Sequence, residues 1–200
     1  MPNPDIRWTA PSDGHTFPIY AGAVADMERV GEFCVERDTA MLRFAGDTWQ
    51  LEAGKLPVMR ATTSPDTGSQ VFTATGDADT FGRSKNVLCT VDRHQVLVHQ
   101  ESRKQFIILD ATGKGGPGQE QLDLAAATKI GQFESESGAM KNLHVQFEGA
   151  GQSLPLDAQV FVSWVARHMM ETRMISSTWA ITIFLVILVP LIVLYFLGVL

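Results

Sequence analysis

The chain has 200 residues, with 16 Lys and Arg against 22 Asp and Glu, a net charge of -6 and 45% hydrophobic residues. That acidic balance argues against nucleic acid as a partner, because duplex binding needs a concentrated basic face. It argues equally against general attraction to an anionic leaflet.

Residues 1–18 are rich in proline and polar residues, with Pro2, Pro4, Pro11 and Pro18 favouring extended backbone. They read as an extended N-terminal segment: a disordered tail, or a strap anchored by Ile6, Trp8 and Phe17 on another surface. MPNPDIRWTAPSDG has no apolar run of signal-peptide type. Residues 19–150 read as a β-rich domain. Its opening run AGAVADMERVGEF is ambiguous, since Val24, Met27 and Val30 have helical spacing while Gly22 and Gly31 weaken a helix. From Phe33 the pattern turns to short strands, FCVER, AMLRF, TWQLE and PVMRATT, with a turn at SPDTGS. QVFTATG, NVLCTV, QVLVHQ and QFIILD follow in quick succession. Period-two alternation puts Val96 and Val98 on one face and Leu97 and His99 on the other. LDLAAATKIG suggests one short helix, and IGQF and NLHVQF close the series. In the last, Leu143, Val145 and Phe147 alternate with His144 and Gln146. Closely spaced antiparallel strands predict a sandwich or a barrel.

Residues 151–177 read as a linker and a juxtamembrane helix. Its predicted apolar stripe is Phe161, Trp164, Val165 and Met169, with Arg167, Glu171 and Arg173 facing away. From Trp179 to Leu200 the sequence WAITIFLVILVPLIVLYFLGVL carries no charge. Twenty-two residues at about 1.5 Å each make roughly 33 Å, enough for a hydrocarbon core of about 30 Å. Residues 178–200 are therefore expected to be a single transmembrane helix at the C-terminus. Trp179 and Tyr195 fall near the two interfaces and Pro190 lies mid-span. Arg167 and Arg173 precede the run and no charge follows it, so the positive-inside rule predicts a cytoplasmic N-terminal domain. The expected class is thus a mainly β soluble domain (α+β overall), one amphipathic helix and a single-pass, tail-anchored span.

The central third also resembles a family. Asp66-Thr67-Gly68, Val71-Phe72, Arg83, Leu88, Asp92 and Val96-Leu97 follow one another as an acidic turn with glycine, a strand with an aromatic, a basic break, a strand, an Asp and another strand. Phe106-Ile107-Ile108 with Asp110 and Gly113 open a further unit. This succession resembles the tubby-like superfamily, which includes phospholipid scramblases and LURP-one-related proteins. The resemblance covers roughly residues 57–113 and implies a twelve-stranded barrel around a hydrophobic helix. No functional residue is carried over from it.

Motifs with chemical content are few. Gly113-Lys114-Gly115-Gly116-Pro117-Gly118 fits G-x-G-x-x-G, but Pro117 removes an amide and the flanking strands look antiparallel, so a flexible loop is the expectation. His94 and His99 face opposite sides of a strand pair, His15, His144 and His168 stand alone, and His168 reads as a surface or contact residue. Cys34 and Cys89 lack C-x-x-C spacing and fit buried thiols in a reducing compartment. Asp77 and Asp79 in GDADTFG read as a solvated turn rather than a calcium loop. No catalytic residue, metal or cofactor is expected.

The functional expectation is a non-enzymatic accessory or assembly subunit of a larger membrane complex. Respiratory and other bioenergetic assemblies supply the analogy. The alternative is a membrane-surface, lipid-binding module of scramblase-like fold; a nucleotide-binding enzyme ranks last. The expected partners are integral membrane subunits and the lipid bilayer, with contacts through Trp8, Trp164, Met169, Met170, Thr182 and Pro190; for Trp164, packing onto the chain's own β domain is an equal alternative.

Overall fold

Among the described residues up to 147, every regular element is a strand except the short 3-10 turn Pro65–Thr67. The computed structural model describes residues 5–11, 13–23, 25–36, 39–54, 56–102, 105–112, 127–134 and 142–196, apart from several side chains in the second half of the last helix. Among the described residues, twelve strands run in order: β1 (Asp5–Trp8), β2 (Thr16–Ala23), β3 (Asp26–Glu36), β4 (Thr39–Phe44), β5 (Asp47–Ala53) and β6 (Val58–Thr62) form the first half. β7 (Val71–Gly76), β8 (Asn86–Val91), β9 (His94–Gln100), β10 (Gln105–Asp110), β11 (Thr128–Glu134) and β12 (Leu143–Phe147) complete it. Each strand pairs antiparallel with its sequence neighbours, and β1 pairs with β12 through Ile6 opposite Val145, which closes a barrel. Closure leaves no sheet edge to protect.

One long helix, α1 (Leu156–Phe196), begins inside this barrel. From Ala158 to Met170 every residue except His168 is buried, on all sides of the helix. A helix buried around its whole circumference needs no polar face, and the barrel wall supplies the apolar surroundings. Inward-facing residues of the strands meet it: Trp49, Phe72 and Phe161 form a chain of rings with centroids 5.2 and 5.6 Å apart. Phe161 in turn meets Trp164 at 5.8 Å. The alternation read from the sequence holds, with Val96 and Val98 in this core and Leu97 in a separate cluster with Leu109 and Ala111.

The chain reaches the helix through a short 3-10 turn, Gly149–Ser153. A β-carbon added to Gly151 would lie 2.0 Å from the Ile130 carbonyl oxygen, so only glycine permits this approach to β11. Gln159 Nε2 donates to the carbonyls of Gly151 and Leu154 and ties the turn to the helix.

Several expectations need correction. Residues 1–18 are not a segment apart, because they contain β1 and the start of β2. The run from Ile19 to Phe33 is two strands, not a helix; Gly31 sits where a β-carbon would come within 2.5 Å of the Arg43 carbonyl oxygen on β4. Thr128 to Gly131 belong to β11, while residues 122–126 of the expected short helix lie outside the described residues. The juxtamembrane helix is not amphipathic, since Arg167 is as enclosed as its apolar neighbours. It does not end at residue 177 either: α1 is one helix through to Phe196, with Pro190 inside it. Among the described residues, no helix is long and apolar enough to cross a membrane.

Candidate functional site

The strands alternate in direction, so the barrel has two ends. α1 enters at the end holding the Gly149–Ser153 turn and leaves at the end holding the loops after β1, β5 and β7. Polar chemistry inside the barrel concentrates at this exit. Arg167 is buried, and its guanidinium carbon lies 4.0 Å from the centre of the Phe17 ring, 5.2 Å from Trp8 and 5.8 Å from Phe33. One turn on, Glu171 Oε1 lies 2.9 Å from Arg167 Nε. The contact is close enough for an ion pair but lacks hydrogen-bond alignment, and Nη1 has no hydrogen-bond partner among the described residues. Burial lowers the pKa of Arg167 and raises that of Glu171 above the usual carboxylate value of 4.5, while the mutual attraction opposes both shifts. The pair and its aromatic cage therefore hold a charged helix segment inside an apolar barrel. An isolated charge there would be costly.

Two further helix residues complete the mouth. The His168 ring meets Phe81 edge-on at 5.4 Å, and its buried Nε2 has no partner among the described residues. Arg173 Nη2 donates to the Ser84 carbonyl at 2.6 Å, and its guanidinium carbon lies 4.8 Å from the Phe106 ring centre. Burial lowers the Arg173 pKa, and the charge of Asp77 opposes that shift. The loop between β7 and β8 is thus fastened to α1.

Burial also lowers the His168 pKa below 6.5. The folded protein then binds fewer protons at this ring than the unfolded chain does. The stability linked to His168 is complete above pH 6.5 and is lost as the pH falls from there towards the lower folded value. Glu171 acts in the opposite sense: its raised folded value favours the folded state as the pH falls towards 4.5. We expect His168→Phe, which keeps an aromatic edge against Phe81, to flatten the loss of melting temperature between roughly pH 7 and 5.5. Thermal melts of both proteins across that range check it, and an unchanged slope would assign the loss elsewhere.

The outer wall offers a second feature. A groove of about 590 Å³ runs over β1, β12 and β11, lined by Arg7, Thr9, Gln132, Glu134, His144 and Gln146. Part of its polar lining is paired within the wall. Gln132 Nε2 donates to Gln146 Oε1 at 3.1 Å, and His144 Nε2 lies 3.0 Å from Asp5 Oδ2.

The residues singled out in the sequence fall in different places. Trp8, Trp164, Met169 and Met170 are all buried in the barrel core, so they are not contacts for a partner. Trp8 Nε1 donates to Ser163 Oγ at 2.9 Å, joining β1 to the helix. Pro190 and Tyr195 are exposed on the distal half of α1. The side chains of Trp179 and Thr182 lie outside the described ones, as do Leu200 and the whole Gly113–Gly118 loop. His168 is half-buried and packs on Phe81, the contact alternative of its reading. Arg167, enclosed by the barrel, does not flank the uncharged run as a free cation, so the predicted sidedness rests on Arg173. His99 Nδ1 lies 2.6 Å from Asn86 Oδ1, and Asp77 accepts from Asn86 Nδ2 at 2.8 Å. Cys34 and Cys89 are free and buried, and burial raises the Cys89 thiol pKa. Among the described residues, no three His, Cys, Asp or Glu side chains are grouped to hold a metal ion.

Sequence reasoning missed the enclosed Arg167–Glu171 pair. The signal was present: opposite charges four residues apart within an otherwise apolar helical run. Compared with family models, curated proteins and solved structures, the chain matches none.

Proposed function

We propose that this protein is a non-enzymatic, single-pass accessory or assembly subunit of a larger membrane complex, with α1 serving both as the core of the barrel and as its anchor. The observation that carries this reading is the change of surroundings along one unbroken helix. Up to Met170 the helix is enclosed by strands. Further along, Phe184, Leu185, Val186, Ile187, Val189, Ile192 and Tyr195 are exposed. Exposed apolar side chains along a helix demand a nonaqueous environment or a partner. The sequence between Trp179 and Leu200 remains free of charge, including where side chains are not described, and this is why we read residues 178–200 as a membrane segment. Pro190 lacks the amide that would bond the Val186 carbonyl, and lipid cannot replace that donor. A neighbouring helix near Pro190 and Thr182 can, which favours partner subunits over lipid alone.

The domain would lie on the cytoplasmic side. The second reading, a lipid-binding module of scramblase-like fold, draws on the strand number and the helix within the barrel; kinship with that family is part of that proposal. Affinity purification of the full chain in mild detergent distinguishes the two. The accessory-subunit reading expects a defined multi-subunit complex, and substitution of residues 180–200 by a plain Leu-Ala span should lower its yield while keeping membrane association. A protein that purifies alone and binds lipid vesicles would overturn it.

A further inference from the structure

We propose that the barrel rim where α1 leaves is a surface seated on the phospholipid headgroup layer, with Leu56 and Val58 as its penetrating edge. This rests on reading the distal half of α1 as a membrane segment and adds a second point of contact to it.

The helix sets the height. Arg173 is the last charged residue of α1, and it is fastened to the rim by its bond to the Ser84 carbonyl. Gly82 in the same loop also lies against α1, where an added β-carbon would come within 3.4 Å of the Thr172 carbonyl oxygen. The apolar run opens at Trp179, after Ser176-Ser177-Thr178, six residues beyond Arg173 and about 9 Å further along the axis. A headgroup layer is roughly 5–8 Å deep on each side of the hydrocarbon. The rim is therefore held at the outer edge of that layer, and whatever projects beyond it enters the layer.

Leu56 is placed to do so. The Gly76 amide donates to the Pro57 carbonyl at 2.8 Å, and a β-carbon on Gly76 would lie 2.3 Å from Ser84 Oγ. The chain of contact from Arg173 through Ser84 and Gly76 to Pro57 puts the β5–β6 loop on the same rim, next to the loop that holds the helix. Leu56, next in that loop, is 72% exposed, and Val58 is 45% exposed. Among the described residues, the barrel exposes four large hydrophobics: Val35, Leu56, Val58 and Val71. Three stand at the exit end; only Val71 stands at the other. Arg83 and Lys85 are exposed on the neighbouring loop together with Asp77 and Asp79, so the seating rests on the apolar edge and not on net charge. An apolar edge beside a loop of mixed charge suits a headgroup boundary, where the apolar parts go below and the charges stay level.

The test uses the full chain reconstituted in phosphatidylcholine–phosphatidylglycerol nanodiscs. An environment-sensitive fluorophore is attached at Leu56→Cys, Val71→Cys or Tyr195→Cys; Cys34 and Cys89 are buried, and the unsubstituted chain serves as the blank. Positions 56, 71 and 195 are all exposed, so labelling should leave the fold intact. We expect lipids brominated on the acyl chain near the headgroup to quench positions 56 and 195 severalfold more than position 71. Adding Val58→Asp should reduce the quenching at position 56. Quenching at 195 without quenching at 56 would overturn the seated rim and leave the anchor standing. Absence of quenching at 195 would remove the anchor and this inference with it. Protection at 56 that appears only with co-reconstituted partner subunits would make the rim a protein contact and overturn the lipid assignment.

Discussion

Trp8→Ala should destabilise the protein by about 3–5 kcal/mol, the cost typical of removing a large aromatic from a packed core. Trp8 is fully buried, its ring centre is 5.6 Å from that of Phe33, and Arg167 lies over its face. The substitution opens a cavity at the junction of β1, β3 and α1. It also removes the indole donor to Ser163. Position in the topology adds to the effect, because β1 pairs with both β2 and β12 and so closes the barrel. Chemical unfolding of the full chain in detergent, followed by circular dichroism, measures the loss. Leu56→Ala is the control; an exposed site of that kind should change stability by no more than about 0.5 kcal/mol. A loss below about 1 kcal/mol for Trp8→Ala would mean that the N-terminal residues act as the loosely attached strap that their composition suggests.

That contrast shows how much of the fold the sequence carried. The middle strands were readable because alternation is local: Val96 and Val98 against Leu97, or Leu143, Val145 and Phe147 against His144, declare their faces within five residues. The first strand was not readable, since DIRW is four residues among prolines, and what makes it a strand is pairing with Leu143 to Val145 far along the chain. The Ile19–Phe33 run was ambiguous for a related reason. Gly22 and Gly31 look like helix breakers, and in the fold they are places where strands approach too closely for a side chain. Whether the strands made a sandwich or a barrel depended on that one long-range pairing, which no local pattern states.

The interior of the barrel was legible only in part. Helical periodicity located α1 correctly but gave it a wrong outer face. A stripe rule assumes that charged residues point to water. Arg167 and Glu171 offset each other's charge, and three aromatic rings surround the guanidinium, so the rule inverts at this point. Met169 and Met170 were read as interface residues for the same reason, and Trp164 either so or as packed on the β domain: without the barrel in view, a wide apolar helix looks unpartnered.

The pair gives the second large effect. Glu171→Ala removes the only carboxylate shown to pair with Arg167 among the described residues and leaves a buried guanidinium held by its aromatic cage alone. Breaking a buried pair from one side costs about 3–5 kcal/mol. The Glu171 side chain keeps 26% exposure, so water offsets part of that, and a loss near the lower limit of about 3 kcal/mol is expected. Arg167→Met should cost less. It removes the charge that needs solvation and keeps a flexible apolar stem against Phe17. The double substitution Arg167→Met with Glu171→Leu should recover most of the loss from Glu171→Ala, since volume is largely retained and no charge is stranded. A double-mutant cycle built on Arg167→Met and Glu171→Ala, measured by chemical unfolding of the full chain, isolates the coupling. The coupling should persist in about 0.5 M salt, because ions do not reach an enclosed pair as they reach a surface one. A coupling that disappears in salt, or a Glu171→Ala cost below about 0.5 kcal/mol, would show that water enters the barrel mouth and solvates Arg167.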